Sequence, residues 1–170
     1  MVDVTAELGQ LSDLDELTGP AVEAVLTGAG WDGERRNPAK AWATTWRRAG
    51  ASAWVQGAGP VEVQFTLWYR EVEDERPDPE TYIENLYDAA VAELPSVVSR
   101  LESGALGARL QGSGEDLTDG EDYIEHTAWT ISGKVLLAGV KQSDTDAPVQ
   151  LVVVLREHAK DEDDGENEWL

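Results

Sequence analysis

The chain has 170 residues, no cysteine, and 34 acidic against 13 basic residues, for a net charge of −21 at pH 7. That length suits one domain, and 41% hydrophobic residues are enough to build a core, which excludes a chain disordered throughout. The lack of cysteine excludes disulfides, thiol nucleophiles and thiolate metal sites, and the longest apolar runs, VQLVVVL and KVLLAGV, are far shorter than the roughly 20 residues that span a bilayer.

From the N-terminus, residues 1–11 are expected to be a flexible end. They show neither a basic start nor an apolar run, so no secretory signal is expected and a cytoplasmic location is the default expectation. The stretch SDLDELTGPAVEAVLTGAGW then predicts helix. Ser12 is the expected N-cap, Gly19-Pro20 an interruption, and Val22, Val25, Leu26 and Ala29 the resumed apolar face before Gly28 and Gly30 stop it.

The next stretch, WDGERRNPAKAWATTWRRAG from Trp31 to Gly50, gathers five of the thirteen basic residues around three of the seven tryptophans. DGERRNPAK predicts a loop, and AWATTWRR, SAWVQG and VEVQFTLWYRE predict three strands joined at AGA and AGP as an antiparallel meander. The third strand alternates cleanly, with Val61, Val63, Phe65, Leu67 and Tyr69 on one face and Glu62, Gln64, Thr66, Trp68 and Arg70 on the other. Two outcomes are open for the island. Inward-facing tryptophans would be core, with Arg35, Arg36, Lys40, Arg47 and Arg48 balancing nearby acids. Outward-facing ones would form an aromatic and arginine platform of the kind enriched at interface hot spots, and Trp68, on the polar face, is the prime candidate for exposure.

DPETYIENLYDAAVAELPSVVSRLESG predicts a long helix. Asp78 stands at the N-cap, Pro79 at the first helical position and Glu80 at the positive end of the helix dipole. Ile83, Leu86, Tyr87, Ala90, Val91, Leu94, Val98 and Leu101 form one apolar stripe. Pro95 removes a hydrogen bond to the Val91 carbonyl, so either a bent helix or two short ones are expected. YIEHTAWTI, KVLLAGVKQ and VQLVVVLRE predict the remaining strands, and the β-branched content of the last marks it as central or well covered. Residues 159–170 are expected to be a disordered acidic tail, with Trp169 as its exception. The fold class expected is therefore α+β: an antiparallel sheet, made of a three-strand meander and two or three further strands, packed on an N-terminal helix and a long central helix, with residues 12–158 as one domain.

Motifs for catalysis are scarce. Two histidines, His126 and His158, are too few for a conventional zinc site, no phosphate-binding or dinucleotide loop occurs, and no nucleophile motif is present. No cofactor, no metal and no catalytic residue are expected. The charge is uneven: residues 31–70 hold six basic and three acidic residues, whereas 71–102 hold ten acidic and two basic. Such a field opposes nucleic acid and anionic membranes and steers basic proteins toward the surface; the competing reading is acidity for solubility alone.

Glu80, Glu84 and Asp88 lie four apart on one helix face, where like charges cost about 0.2–0.5 kcal/mol per pair. With Glu71, Glu73, Asp74 and Glu75 upstream they make an anionic ridge suited to a basic protein, and Trp68 and Trp46 are the aromatic anchors expected beside it. An ordinary solvated helix face is the plainer reading of the same residues.

The order helix, three strands, helix, further strands over residues 12–157 resembles the layout of type III secretion chaperones. The small, acidic, tryptophan-rich chain without catalytic motifs also resembles the immunity proteins of bacterial polymorphic toxin systems, especially actinobacterial ones. That resemblance implies a non-catalytic inhibitor that covers the active site of a basic toxin; the chaperone layout implies binding of a secreted partner. Two readings from other classes stay open: a small-ligand-binding or carboxylate-dependent hydrolase domain, and a subunit that forms a homodimer through its sheet.

Overall fold

A computed structural model describes residues 2–57, 60–73, 78–112, 123–142 and 147–158. Val4, Leu8 and Leu11 recur at helical spacing and are all buried, and they seat helix α1, Thr5–Ser12, against the core. The flexible end expected over residues 1–11 is therefore corrected from Val4 onward. Gly9 weakens the local propensity of this short segment, and burial of its apolar stripe supplies the stability instead.

Ser12 is not an N-cap either. It closes α1, its hydroxyl donating to the Leu8 carbonyl at 2.6 Å. The true cap of α2, Gly19–Gly28, is Thr18, whose Oγ1 accepts from the Ala21 N–H at 3.3 Å, with Pro20 in the first turn. The Gly-Pro pair starts this helix because proline lacks only an N–H that the first turn leaves unpaired anyway.

Among the described residues seven strands follow in one wholly antiparallel sheet: β1 Asp32–Glu34, β2 Thr45–Arg48, β3 Ala51–Gln56, β4 Glu62–Arg70, β5 Glu125–Ile131, β6 Lys134–Lys141 and β7 Val149–Glu157. Their spatial order is β1-β2-β3-β4-β7-β6-β5. The meander is present as β2 to β4, with β1 added at its edge from the segment read as a loop. The last strand, β7, lies between β4 and β6, which agrees with its β-branched run. Two-residue turns close β2 to β3 and β5 to β6, with Ala49 and Gly50 at φ 48° and 88° and Ser132 and Gly133 at φ 50° and 78°. Paired positive φ angles match the twist of the strands they join.

Helix α3, Pro79–Glu102, is continuous through the exposed Pro95, and Asp78 caps it as expected, accepting from the Thr81 N–H at 3.4 Å. It lies on β4, β6 and β7, and α4, Gly104–Gly107, follows it. Ala90, Leu94, Val97 and Leu101 bury its C-terminal half, while Ile83, Leu86 and Tyr87 in its first turns are only half-buried. One main cluster joins Ala90, Leu94, Val97 and Leu101, with Leu86 and Tyr87 packed against it, to Val63, Phe65, Leu136, Ala138, Leu151 and Val153 on the same face of the sheet. The opposite face holds a smaller cluster of Ala128, Leu137, Val152 and Val154 with Tyr123 against it.

Buried polar ties fix the N-terminal helices to the sheet. Glu7 is 2% exposed and accepts from the Trp31 indole N–H at 2.8 Å and from Arg48 Nη1 at 3.3 Å. Lys134, equally buried, donates to the Leu14 carbonyl at 2.6 Å, and Glu157 accepts from the Leu17 N–H at 2.9 Å. A buried charge needs such partners, since an unpaired one carries a large desolvation cost.

Candidate functional site

The tryptophans of the basic island divide between core and surface. Trp46, expected as an aromatic anchor for a partner, is 2% exposed, and its indole N–H donates to the Ala43 carbonyl at 3.0 Å. It fills the space above Gly33, where a Cβ would come within 2.7 Å of its ring, so it is core and offers nothing to a partner. Trp31 is also core, packed on Phe65 with ring centroids 5.5 Å apart. Trp42 is half-buried over Gly19, with Lys40 Nζ 5.3 Å from its ring centroid.

Trp68 changes face. The β4 to β7 pairing shifts between Thr66 and Trp68, so Trp68 stands opposite the fully buried Leu151 and packs half-buried against the main core cluster. Arg70 covers its ring, with Cζ 5.3 Å from the centroid. The extra residue at a bulge reverses the alternation beyond it, which the residue pattern of β4 does not reveal. The same reversal turns Tyr69, expected inward, onto the opposite face with 55% exposure. Tyr69 and Trp54, the latter 49% exposed on β3, are the large exposed aromatics of the meander.

The acidic residues of the candidate ridge are exposed wherever they are described. Glu80, Glu84 and Asp88 on α3, and Glu71 and Glu73 just after β4, all face solvent, and among the described residues none of their carboxylates makes an ion pair or hydrogen bond. Asp74 and Glu75 lie outside the described residues. The Tyr82 hydroxyl accepts from the Glu73 N–H at 3.0 Å and lies 3.5 Å from the Glu71 carbonyl. That side chain joins the end of β4 to the first turn of α3, so the two acidic segments share one end of the molecule.

The basic side chains are mostly occupied. Arg36 pairs with Glu34 at 3.5 Å, Arg48 with Glu7 at 3.3 Å, Arg35 donates to the Lys40 carbonyl at 2.6 Å and Lys40 to the Gly57 carbonyl at 2.7 Å. Arg47 is the exception within this island: it is exposed and has no ion pair or hydrogen bond among the described residues. It lines a concavity of about 440 Å³ at the β2–β3 turn, together with Asp32, Arg48, Ala49, Gly50, Ser52, Thr66 and Tyr69. Sequence reasoning singled out Arg47 only as one of five charges and missed Tyr69, Ser52 and Thr66, because their meeting depends on strand register.

Among the described residues no group of three or more His, Asp or Glu side chains could hold a metal ion, and no helix is long and apolar enough to cross a membrane. His126 sits against the Tyr123 ring at 5.4 Å between centroids. Comparison with protein-family models, curated proteins and solved structures found no match to this chain.

Proposed function

We propose that this chain is a non-catalytic protein-binding module of the immunity or inhibitor type, which takes a basic protein onto the acidic end formed by α3 and the close of β4. The observation that carries the reading is the exposed, unpaired set Glu71, Glu73, Glu80, Glu84 and Asp88, gathered by the Tyr82 tie. Carboxylates spaced four apart on one helix face oppose folding slightly, so their arrangement serves something other than stability. The first turns of α3 also leave Ile83, Leu86 and Tyr87 half-buried beside these charges. An apolar strip flanked by charge suits a partner whose approach is steered electrostatically and whose contact is then closed by burial. Neutralisation would follow from covering the partner's active site, with no chemistry from this chain.

The test is capture of partners by the tagged protein at low and high salt, beside a Glu80→Lys, Glu84→Lys, Asp88→Lys triple variant. One basic protein retained near stoichiometry, weakened by salt and lost by the variant, is the expected result. Many weak partners lost together at high salt, or retention unchanged in the variant, would overturn the proposal.

A further inference from the structure

Asp32, Arg47, Ser52 and Thr66 form one straight cross-strand row on the face of the sheet opposite the helices. Side chains directly opposite one another in such a row have Cβ atoms about 4.5–5.5 Å apart, so their polar ends converge on a common space. The row floors the concavity of about 440 Å³, a size within the range of small-molecule sites.

Two independent irregularities meet there. Arg47 is an exposed cation without a partner among the described residues. Tyr69 reaches the concavity only because of the bulge between Thr66 and Trp68. Bulges concentrate beside binding sites because they re-aim side chains at a cost in regular pairing.

We propose that this concavity binds a carboxylate attached to an aromatic or flat apolar body. The planar fork of Arg47 matches a carboxylate with two parallel N–H donors. The Ser52 hydroxyl, which has no partner among the described residues, supplies a further donor, and Thr66 makes only a 3.4 Å contact to Gln150. Tyr69 offers an exposed ring for the body of the ligand. Asp32 stands opposite Arg47 in register without pairing to it, and its charge disfavours a second negative charge on the ligand. A singly charged carboxylate is therefore preferred over a dianionic phosphate. The field of a chain carrying −21 opposes any anion at long range, so retention depends on the short-range geometry of Arg47 rather than on attraction from a distance.

The experiment is titration of the isotope-labelled full chain, followed by amide NMR shifts, with benzoate, acetate and phenyl phosphate at about pH 8, where the phosphate ester is a dianion. Benzoate is expected to shift the Gly50, Ser52 and Thr66 amides saturably, and acetate to bind roughly tenfold more weakly for want of a ring. Phenyl phosphate is expected to bind more weakly than benzoate and to gain affinity in Asp32→Asn. Arg47→Gln should lose the saturable shifts and Tyr69→Leu should lower benzoate to the level of acetate; both positions are exposed, so a circular dichroism spectrum like that of the parent is expected for each. Absence of saturable shifts at these amides, equal benzoate affinity in Arg47→Gln, or no preference for benzoate over acetate would overturn the proposal. Tighter binding of phenyl phosphate than of benzoate, with Asp32 intact, would overturn the assignment to a carboxylate.

Discussion

Glu7 illustrates how one residue joins three elements. From α1 its carboxylate meets the indole of Trp31, just before β1, and the guanidinium of Arg48 at the end of β2. Arg48 is 41% exposed along its side chain and can turn to water, whereas the Trp31 N–H is buried and cannot. Glu7→Ala therefore strands the indole donor, and a loss of about 1–3 kcal/mol is expected in urea unfolding. Glu7→Gln, which keeps an acceptor oxygen, should lose less. The ranking of the two variants separates the hydrogen bond from the ion pair: a larger loss with Gln than with Ala would show that this account of the site is wrong. Nothing local marks Glu7 for this role, because its partners lie 24 and 41 residues away along the chain.

Among the elements, the long helix was legible because its signals are local. Asp78, Pro79 and the apolar stripe depend only on neighbours within a turn or two; the cap and Pro79 stand as expected, and of the stripe Ala90, Leu94 and Leu101 are buried, while Val97, outside it, is buried and Val98 only half so. The N-terminal helices were legible only in part. Gly19-Pro20, expected as an interruption, is instead where α2 begins, and Thr18 decides the matter by capping. Gly19 has a second role that composition conceals, since a Cβ there would lie 2.0 Å from the Trp42 ring. Gly19→Ala is expected to expel Trp42 and to destabilise the fold by roughly 1–3 kcal/mol. A lower urea midpoint together with red-shifted tryptophan emission would check this; unchanged emission would mean that the ring and the helix start are not in contact.

Across the molecule, charge and packing are separated in space. The helix-bearing face of the sheet carries the main core, the opposite face holds the Arg47 concavity toward β1–β4, and the acidic carboxylates gather where β4 meets α3. This division predicts a trade between stability and binding. Glu84 lies one turn from both Glu80 and Asp88, so Glu84→Gln removes two like-charge pairs and should stabilise the fold by roughly 0.4–1 kcal/mol. The same change should weaken capture of a basic partner at low salt. Thermal melting and partner retention measured on one preparation test both halves, and a variant that gains stability without losing retention would remove Glu84 from the proposed surface.

The residue pattern alone determined the class of fold, most strand positions, the N-cap of α3 and the scarcity of recognisable catalytic motifs. Each rests on short-range periodicity or on residue type, which act within a few positions of the chain. Tertiary structure decided the placement of β7 between β4 and β6, the burial of Trp46, the inward turn of Trp68 and the meeting of Arg47 with Tyr69. The physical reason is that alternation states only that a strand has two unlike faces. Which face meets the helices depends on register with strands up to about 90 residues away, and a single bulged residue reverses it.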